Sequence, residues 1–230
     1  MKGVIIKLIT LLLKKMSIKS NVLKVKETLV NYPNVRLVAA SKYMGVEETK
    51  ELVEAGITEL GENRTDTFLE KYEALKEYNI NWHFFGVVQS RKIKDIVNKI
   101  SCLHSLDRLS LAIELNKKLE NPLDCFIQIN ISEEPNKQGI PANKLKSFIK
   151  QLAGYEKIRI VGLMCIARNT FDEEELRESF KKMKEMQLEI ESMNLPYAPC
   201  HELSMGMSND YLLAIEEGAT IVRLGRIFLK

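Results

Sequence analysis

The chain of 230 residues has few cysteines and histidines, and it lacks a glycine-rich turn for binding dinucleotides. Its four cysteines lie far apart and none belongs to a Cys-x-x-Cys pair. Because the usual spacing of zinc ligands is absent, we expect no metal site and interpret the cysteines as buried, reduced thiols. No G-x-G-x-x-G motif follows the first predicted strand, which disfavours an open, doubly wound sheet.

Excess charge and long apolar runs are also missing. The net charge is only +3, from 34 basic and 31 acidic residues, and no basic face of the kind that binds nucleic acid is evident. The basic stretch 91–94 is interleaved with apolar residues, which is typical of the solvent-exposed face of a helix. The alternative is that its basic side chains form a rim that attracts anions. The apolar run 3–13 is too short to span a bilayer. We therefore expect a cytoplasmic protein without a membrane or nucleic-acid partner.

The first fifteen residues are set apart from the rest. They precede a second methionine, Met16, and the polar residues that follow Met16 are typical of the beginning of a helix. Residues 1–15 are interpreted either as an upstream extension of the coding frame or as an amphipathic arm. Residues 16–230 contain no linker, repeat or low-complexity segment, so they are predicted to form one domain.

Short apolar runs and amphipathic segments alternate after a first helix at 17–31. The predicted strands are 35–40, 58–61, 82–86, 101–105, 124–130, 158–164, 200–204 and 220–224. The predicted helices between them are 46–55, 64–77, 89–99, 107–118, 141–153, 172–193 and 208–217. Eight strands separated by helices predict a single (β/α)₈ barrel of the α/β class, with an extra N-terminal helix.

Function in such a barrel lies where the strands end, and the first strand is followed there by a lysine, Lys42. A partly desolvated amine at the mouth of a barrel can condense with an aldehyde to form a Schiff base. The alternative is a solvated surface lysine, which is the common case.

The loops after the last two strands predict a phosphate site, as is frequent in this fold. Ser204 ends the seventh strand, and Ser208 is expected to cap the helix 208–217. Gly225 follows the eighth strand and would let the backbone approach an anion. Arg223 is expected to point towards the mouth, with an ion pair at the opposite end of the barrel as the alternative.

An aldehyde-reactive lysine that faces a phosphate site suggests pyridoxal 5′-phosphate (PLP). Its aldehyde would meet Lys42, its phosphate would meet Ser208 and Gly225, and Arg223 would lie beneath the pyridine ring. An arginine at the ring nitrogen keeps that nitrogen unprotonated and weakens the cofactor as an electron sink. The other side chains expected around the ring are Asn63, Met164 and Phe85.

With these residues in place, the chain resembles the pyridoxal phosphate homeostasis proteins, whose barrel is similar to the N-terminal domain of alanine racemase. The resemblance covers about residues 17–228. The matching stretches are VAASK (38–42), ELGENR (59–64), WHFFGVVQSRK (82–92), HSLDR (104–108), IQINIS (127–132), NKQGI (136–140), GLM (162–164), LSMGMSND (203–210) and VRLGR (222–226).

The resemblance implies a Schiff base on Lys42, a phosphate held by Ser208, Gly225 and Arg226, and Arg223 at the pyridine nitrogen, with Asn63 near the ring. It also implies a monomer without established turnover that buffers or delivers PLP, with PLP-dependent apoenzymes as candidate partners. The family usually has Thr or Ser where this chain has Arg226, which leaves charge rather than a hydroxyl to contact the phosphate.

Two other functions stay open. A PLP-dependent amino-acid racemase needs a second acid/base on the opposite face of the ring. Tyr43 is expected to be a poor candidate, because neighbouring strand residues point to opposite faces. A degenerate barrel that has lost the cofactor and acts as a binding scaffold is the remaining alternative.

Overall fold

The computed structural model describes residues 17–134 and 137–230, which include a closed ring of parallel strands. The strands are β1 (Arg36–Ala40), β2 (Glu59–Glu62), β3 (Asn81–Phe84), β4 (Cys102–Leu106), β5 (Leu123–Asn130), β6 (Ile140–Pro141), β7 (Ile158–Cys165), β8 (Glu202–Ser204) and β9 (Ile221–Leu224). Pairing of β4 with β5 and of β9 with β1 closes an eight-stranded barrel, while β6 pairs only with β5 outside the ring. The predicted (β/α)₈ barrel is confirmed.

Helices surround the ring. They are α1 (Ile18–Leu29), α2 (Val46–Glu54), α3 (Thr65–Ala74), α4 (Ile93–Ile96), α5 (Leu109–Lys118), α6 (Leu145–Gln151), α7 (Glu173–Glu191) and α8 (Tyr211–Glu216). Short 3₁₀ helices cover Ser41–Tyr43, Ser90–Lys92, Ala142–Lys144 and Arg226–Leu229. No helix among the described residues is long and apolar enough to cross a bilayer.

The predicted N-terminal helix is present as α1, and it contacts the last described residues and the segment after α2. Its Asn21 side chain donates to the carbonyls of Phe228 (3.0 Å) and Lys230 (2.8 Å). Its Lys26 ammonium donates to the carbonyls of Ala55 and Gly56, just beyond α2. The expectation about residues 1–15 lies outside the described residues.

Two separate apolar clusters stabilise the barrel. The larger one lies between the strands and the helices, as expected for strands buried on both faces. The smaller one fills the inside of the ring with side chains from five strands. Its members are Val38, Cys102, Phe126, Val161, Met164 and Ile221, with Phe85 packed against them. The inside of the barrel is therefore a packed core, and ligands can bind only at its ends.

Candidate functional site

A cavity of about 520 Å³ opens at the carboxyl ends of the strands. That volume lies within the range of roughly 300–1,000 Å³ typical of small-molecule sites. Eight of the nine residues predicted for the site line this cavity: Lys42, Asn63, Phe85, Met164, Ser208, Arg223, Gly225 and Arg226. The tertiary structure thus brings side chains from strands far apart in the sequence to one place.

Lys42 does not continue β1, which ends at Ala40. It lies in the 3₁₀ turn Ser41–Tyr43, where it is exposed rather than partly desolvated, and its Nζ lies 5.1 Å from the centroid of the Tyr43 ring. The expectation that Tyr43 points away from Lys42 is therefore wrong. The alternation of faces holds for a strand, but not for a 3₁₀ turn.

A buried ion pair contacts the 3₁₀ turn Ser41–Tyr43 and stabilises it. The Lys71 ammonium contacts a carboxylate oxygen of Glu62 at 2.5 Å and donates to the Ser41 carbonyl at 2.8 Å. The Ser41 hydroxyl donates to the same Glu62 oxygen at 2.7 Å. Both charged side chains are almost fully buried. Because the Ser41 carbonyl immediately precedes Lys42, this pair positions the backbone that carries the cavity's amine.

Sequence reasoning missed Lys71, although α3 carries a signal for it. Lys71 lies three residues after Phe68 and four before Leu75, and all three are buried. That spacing places the lysine on the apolar face of the helix. A charged residue on such a face requires a buried partner, which the preceding strand supplies as Glu62.

Two loops form an anion-binding corner on the other side of the cavity. The Ser208 hydroxyl accepts hydrogen bonds from the backbone amides of Gly225 (3.3 Å) and Ile227 (3.4 Å). A Cβ atom at Gly225 would lie 2.7 Å from the Ala40 carbonyl oxygen, so the close approach of β9 to β1 requires glycine here. Exposed Arg226 lines the same corner. Because the two amides donate to the Ser208 oxygen, its own proton is left to donate outward, and this hydroxyl and the guanidinium can together hold an anion.

Ser208 is not the cap of the helix that follows, contrary to the prediction. The helix α8 begins at Tyr211, with Asp210 at the position before it. The Asp210 carboxylate accepts the Met207 amide at 2.5 Å, which closes a turn between β8 and α8. Burial raises the pKa of this carboxyl above its ordinary value. The turn frees the Ser208 hydroxyl to face the Gly225 loop.

Arg223 forms the floor of the cavity. Its side chain is buried, and it donates to the Ser204 hydroxyl at 2.7 Å and to the Cys165 carbonyl at 2.8 Å. Burial lowers the pKa of its guanidinium from the ordinary value, but an arginine stays charged in proteins. These two acceptors fix the plane of the guanidinium, and its place in the cavity lining favours the expectation that it points to the mouth.

Ser204, the ninth predicted residue, is fully buried beneath Arg223 and is not among the residues found to line the cavity. In the described part of the chain its hydroxyl contacts Arg223 and His104 instead. Ser204 therefore acts on the cavity through Arg223.

The remaining wall is partly as predicted. Met164 and Phe85 supply apolar surface and half-buried Asn63 supplies an amide. Sequence reasoning did not place several other polar and apolar residues that also line the cavity, among them Arg64, Gln89, Gln138 and Ile166. In the basic stretch, Arg91 and Lys94 are exposed, whereas Lys92 joins the rim of the cavity. The exposure of Arg91 and Lys94 agrees with a solvent-facing surface, while the anion-attracting rim stays a prediction for Lys92.

Known proteins resemble this chain over most of its length. Residues 14–229 match the family model of the alanine racemase N-terminal domain. A pyridoxal phosphate homeostasis protein from Aquifex aeolicus is 38% identical over 198 residues, which cover 84% of this chain and 85% of that protein. The protein of the same name from Pasteurella multocida is 36% identical, covering 83% and 84% of the two chains.

Solved structures show the same fold. PipY from Synechococcus elongatus, solved with PLP bound, superposes with a TM-score of 0.85 at 29% identity, covering 93% of this chain and 100% of that chain. Alanine racemase from Corynebacterium glutamicum gives a TM-score of 0.73 at 14% identity and is covered over 60% of its length, a likeness of fold alone. The chain therefore belongs to the pyridoxal phosphate homeostasis proteins, within the family of the alanine racemase N-terminal domain.

Proposed function

We propose that this protein binds PLP in the cavity at the barrel mouth and serves PLP homeostasis by buffering or delivering the cofactor in the cytoplasm, as a monomer and without catalytic turnover. One observation carries the proposal: a lysine amine, an anion-binding corner and a fixed guanidinium share one cavity. The relatives named for PLP homeostasis and the structure of PipY with PLP bound support it.

The donor groups of the cavity fit the chemistry of PLP. The Lys42 amine would condense with the cofactor's aldehyde, which forms a Schiff base and releases one water molecule. The Ser208 hydroxyl, which the amides of Gly225 and Ile227 hold in place, and the Arg226 guanidinium suit a phosphate dianion. Asn63 would hydrogen-bond the phenolic oxygen of the ring, and Met164 would pack against its face.

The floor of the cavity favours binding over catalysis. PLP supplies an electron sink when its ring nitrogen is protonated. The guanidinium of Arg223 can only donate hydrogen bonds, so beneath the ring it would keep that nitrogen unprotonated. A cofactor held in this way is retained without being strongly activated.

A weak amino-acid racemase is the second candidate, and the position of Tyr43 is the observation that favours it. Tyr43 lines the cavity, so a phenol is present near the lysine. Its ring, however, lies beside the Lys42 amine, whereas a two-base racemase needs its second base across the ring. The geometry therefore supports a PLP carrier more strongly than a racemase.

The test is the absorbance spectrum of the purified protein with added PLP, before and after borohydride, followed by peptide mapping. We expect a visible band that borohydride removes and a pyridoxyl group on Lys42. Transfer of PLP to an apoenzyme, without racemisation of L-alanine, would support the carrier role. A protein that stays colourless with PLP would contradict the proposal and favour a scaffold that has lost the cofactor.

Arg223→Glu is expected to shift the pH midpoint of the visible band, because a carboxylate at this position favours a protonated ring nitrogen. Arg226→Glu is the matched control, since it makes the same change of charge at the exposed rim. It should weaken PLP retention but move the midpoint less. Arg223→Gln removes the positive charge and adds an acceptor oxygen, so it should shift the midpoint in the same direction by less, and it provides a second variant if Arg223→Glu does not fold. Equal midpoints in the Arg223 variants and the wild type would contradict a contact of Arg223 with the ring nitrogen.

A further inference from the structure

Five polar side chains form a continuous line through the inside of the barrel. His83 Nε2 lies 2.6 Å from a Glu59 carboxylate oxygen, and His83 Nδ1 lies 2.8 Å from His104 Nε2. His104 Nδ1 lies 2.9 Å from the Ser204 hydroxyl, which in turn accepts from Arg223 at 2.7 Å. Glu59 begins β2 at the end of the barrel opposite the cavity. The line therefore joins the two ends of the barrel.

The chemistry of the two ends sets the direction of every hydrogen bond in this line. Among the described residues the buried Ser204 hydroxyl has two partners, Arg223 and His104. Arg223 can only donate, so the acceptor left for the Ser204 proton is His104 Nδ1. His104 must then carry its proton on Nε2 and donate to His83 Nδ1. His83 in turn carries its proton on Nε2 and donates to Glu59, which accepts as a carboxylate. Every bond in the line thus runs the same way, with both imidazoles neutral.

The surroundings of Glu59 and His104 favour a charged carboxylate and a neutral imidazole, as these hydrogen bonds require. Partial burial raises the pKa of Glu59, but hydrogen bonds from His83 and Asn81 outweigh this and leave the pKa below its ordinary value. Complete burial, together with the guanidinium charges of Arg223 and Arg36, holds the pKa of His104 well below its usual range. The His104 ring also stacks on Phe126, with centroids 4.5 Å apart and planes inclined by 20°. Packing and charge therefore keep His104 neutral and fixed in orientation.

We propose that Glu59, His83, His104 and Ser204 are positioning residues that orient the Arg223 guanidinium beneath the ring nitrogen of PLP. The inference rests on the proposed function for the contact between Arg223 and the ring. Ser204 binds Arg223 directly, and His104 fixes the direction of the Ser204 hydroxyl. Glu59 ends the line as the acceptor, so a residue at the far end of the barrel influences the electronic state of the cofactor.

A metal site is a weaker explanation of the same cluster. Ligand atoms of His83, Cys102 and His104 all lie within 4.8 Å of one another, and all three residues are buried. All four ring nitrogens of the two histidines already have hydrogen-bond partners. Burial also raises the pKa of the Cys102 thiol well above its ordinary value, so a neutral thiol is expected. The contacts are complete without an ion.

The first test uses the free protein and does not depend on PLP. The chain contains three histidines, and exposed His201 serves as the reference. Long-range ¹H–¹⁵N NMR correlations at about pH 7.5 should show His83 and His104 as neutral rings protonated at Nε2. A proton on Nδ1 of either ring, or stoichiometric zinc bound to these rings in the purified protein, would overturn the proposed line.

The second test asks whether the line acts on the ring nitrogen. His104→Phe keeps an aromatic ring on Phe126 but removes both hydrogen bonds, so the pH midpoint of the PLP band should move by about half a unit or more, with faster PLP release. His104→Gln offers one acceptor and one donor group and should restore much of the wild-type midpoint. Cys102→Ala is the matched control, because it removes a buried side chain of the same strand that is outside the line. Its midpoint should stay at the wild-type value.

The outcomes separate this inference from the proposed function. A wild-type protein that forms no borohydride-sensitive band would contradict the proposed function and the positioning role together, whatever the ring tautomers. A normal wild-type band with the same midpoint in His104→Phe would overturn the positioning role alone. A shift in His104→Phe that also appears in Cys102→Ala would show a general packing effect and would overturn it as well.

Discussion

Lys42→Ala is expected to abolish the borohydride-sensitive band of the protein with PLP, because the variant has no amine at the end of the first strand to condense with the aldehyde. The phosphate corner remains intact in this variant, so PLP should still bind reversibly but should be lost on gel filtration. The measurement is the visible spectrum before and after gel filtration, combined with peptide mapping after borohydride.

Lys92→Ala is the matched control for this experiment. Lys92 is another lysine at the same cavity, and it lies in the 3₁₀ turn that follows β3. If Lys42 is the attachment site, the Lys92→Ala variant should keep the band and the pyridoxyl peptide of the wild type. A normal band in Lys42→Ala, or its loss in Lys92→Ala alone, would show that the Schiff base forms elsewhere.

Lys71→Met is expected to cause a large loss of stability. The substitution leaves the Glu62 carboxylate buried without its cation and removes a donor from the Ser41 carbonyl. Breaking one partner of a buried ion pair costs about 3–5 kcal/mol, which is a large share of the roughly 5–15 kcal/mol by which a typical domain is stable. The free energy of unfolding from urea denaturation tests this expectation.

The exposed pair Lys76–Glu73 provides the control for the buried one. Lys76→Met removes the same charge from a pair that lies three residues apart at the surface, so the urea midpoint should change little. The double variant Lys71→Met, Glu62→Gln should recover part of the lost stability, because no unpaired charge remains buried. If Lys71→Met unfolded at the same urea concentration as Lys76→Met, the buried pair would not be stabilising.

Local patterns were enough to predict the barrel and most of its site. Each strand is a short apolar run, and in a parallel barrel all strands end at one mouth. Residues at those ends, such as Lys42, Asn63 and Arg223, could therefore be assigned to one cavity before their contacts were known. The boundaries of turns were less predictable. The 3₁₀ turn at Ser41–Tyr43 reversed the expectation for Tyr43 because a single turn has no periodic pattern in the sequence.

The sequence by itself determined the fold class, the mouth that carries the amine and the loops that suit an anion. Only the tertiary structure decided that Lys71 reaches Glu62, and that Glu59, His83, His104 and Ser204 line up beneath Arg223. The reason is physical. Periodicity shows which residues face inward, but the register and closure of the strands decide which inward residues meet across the barrel axis.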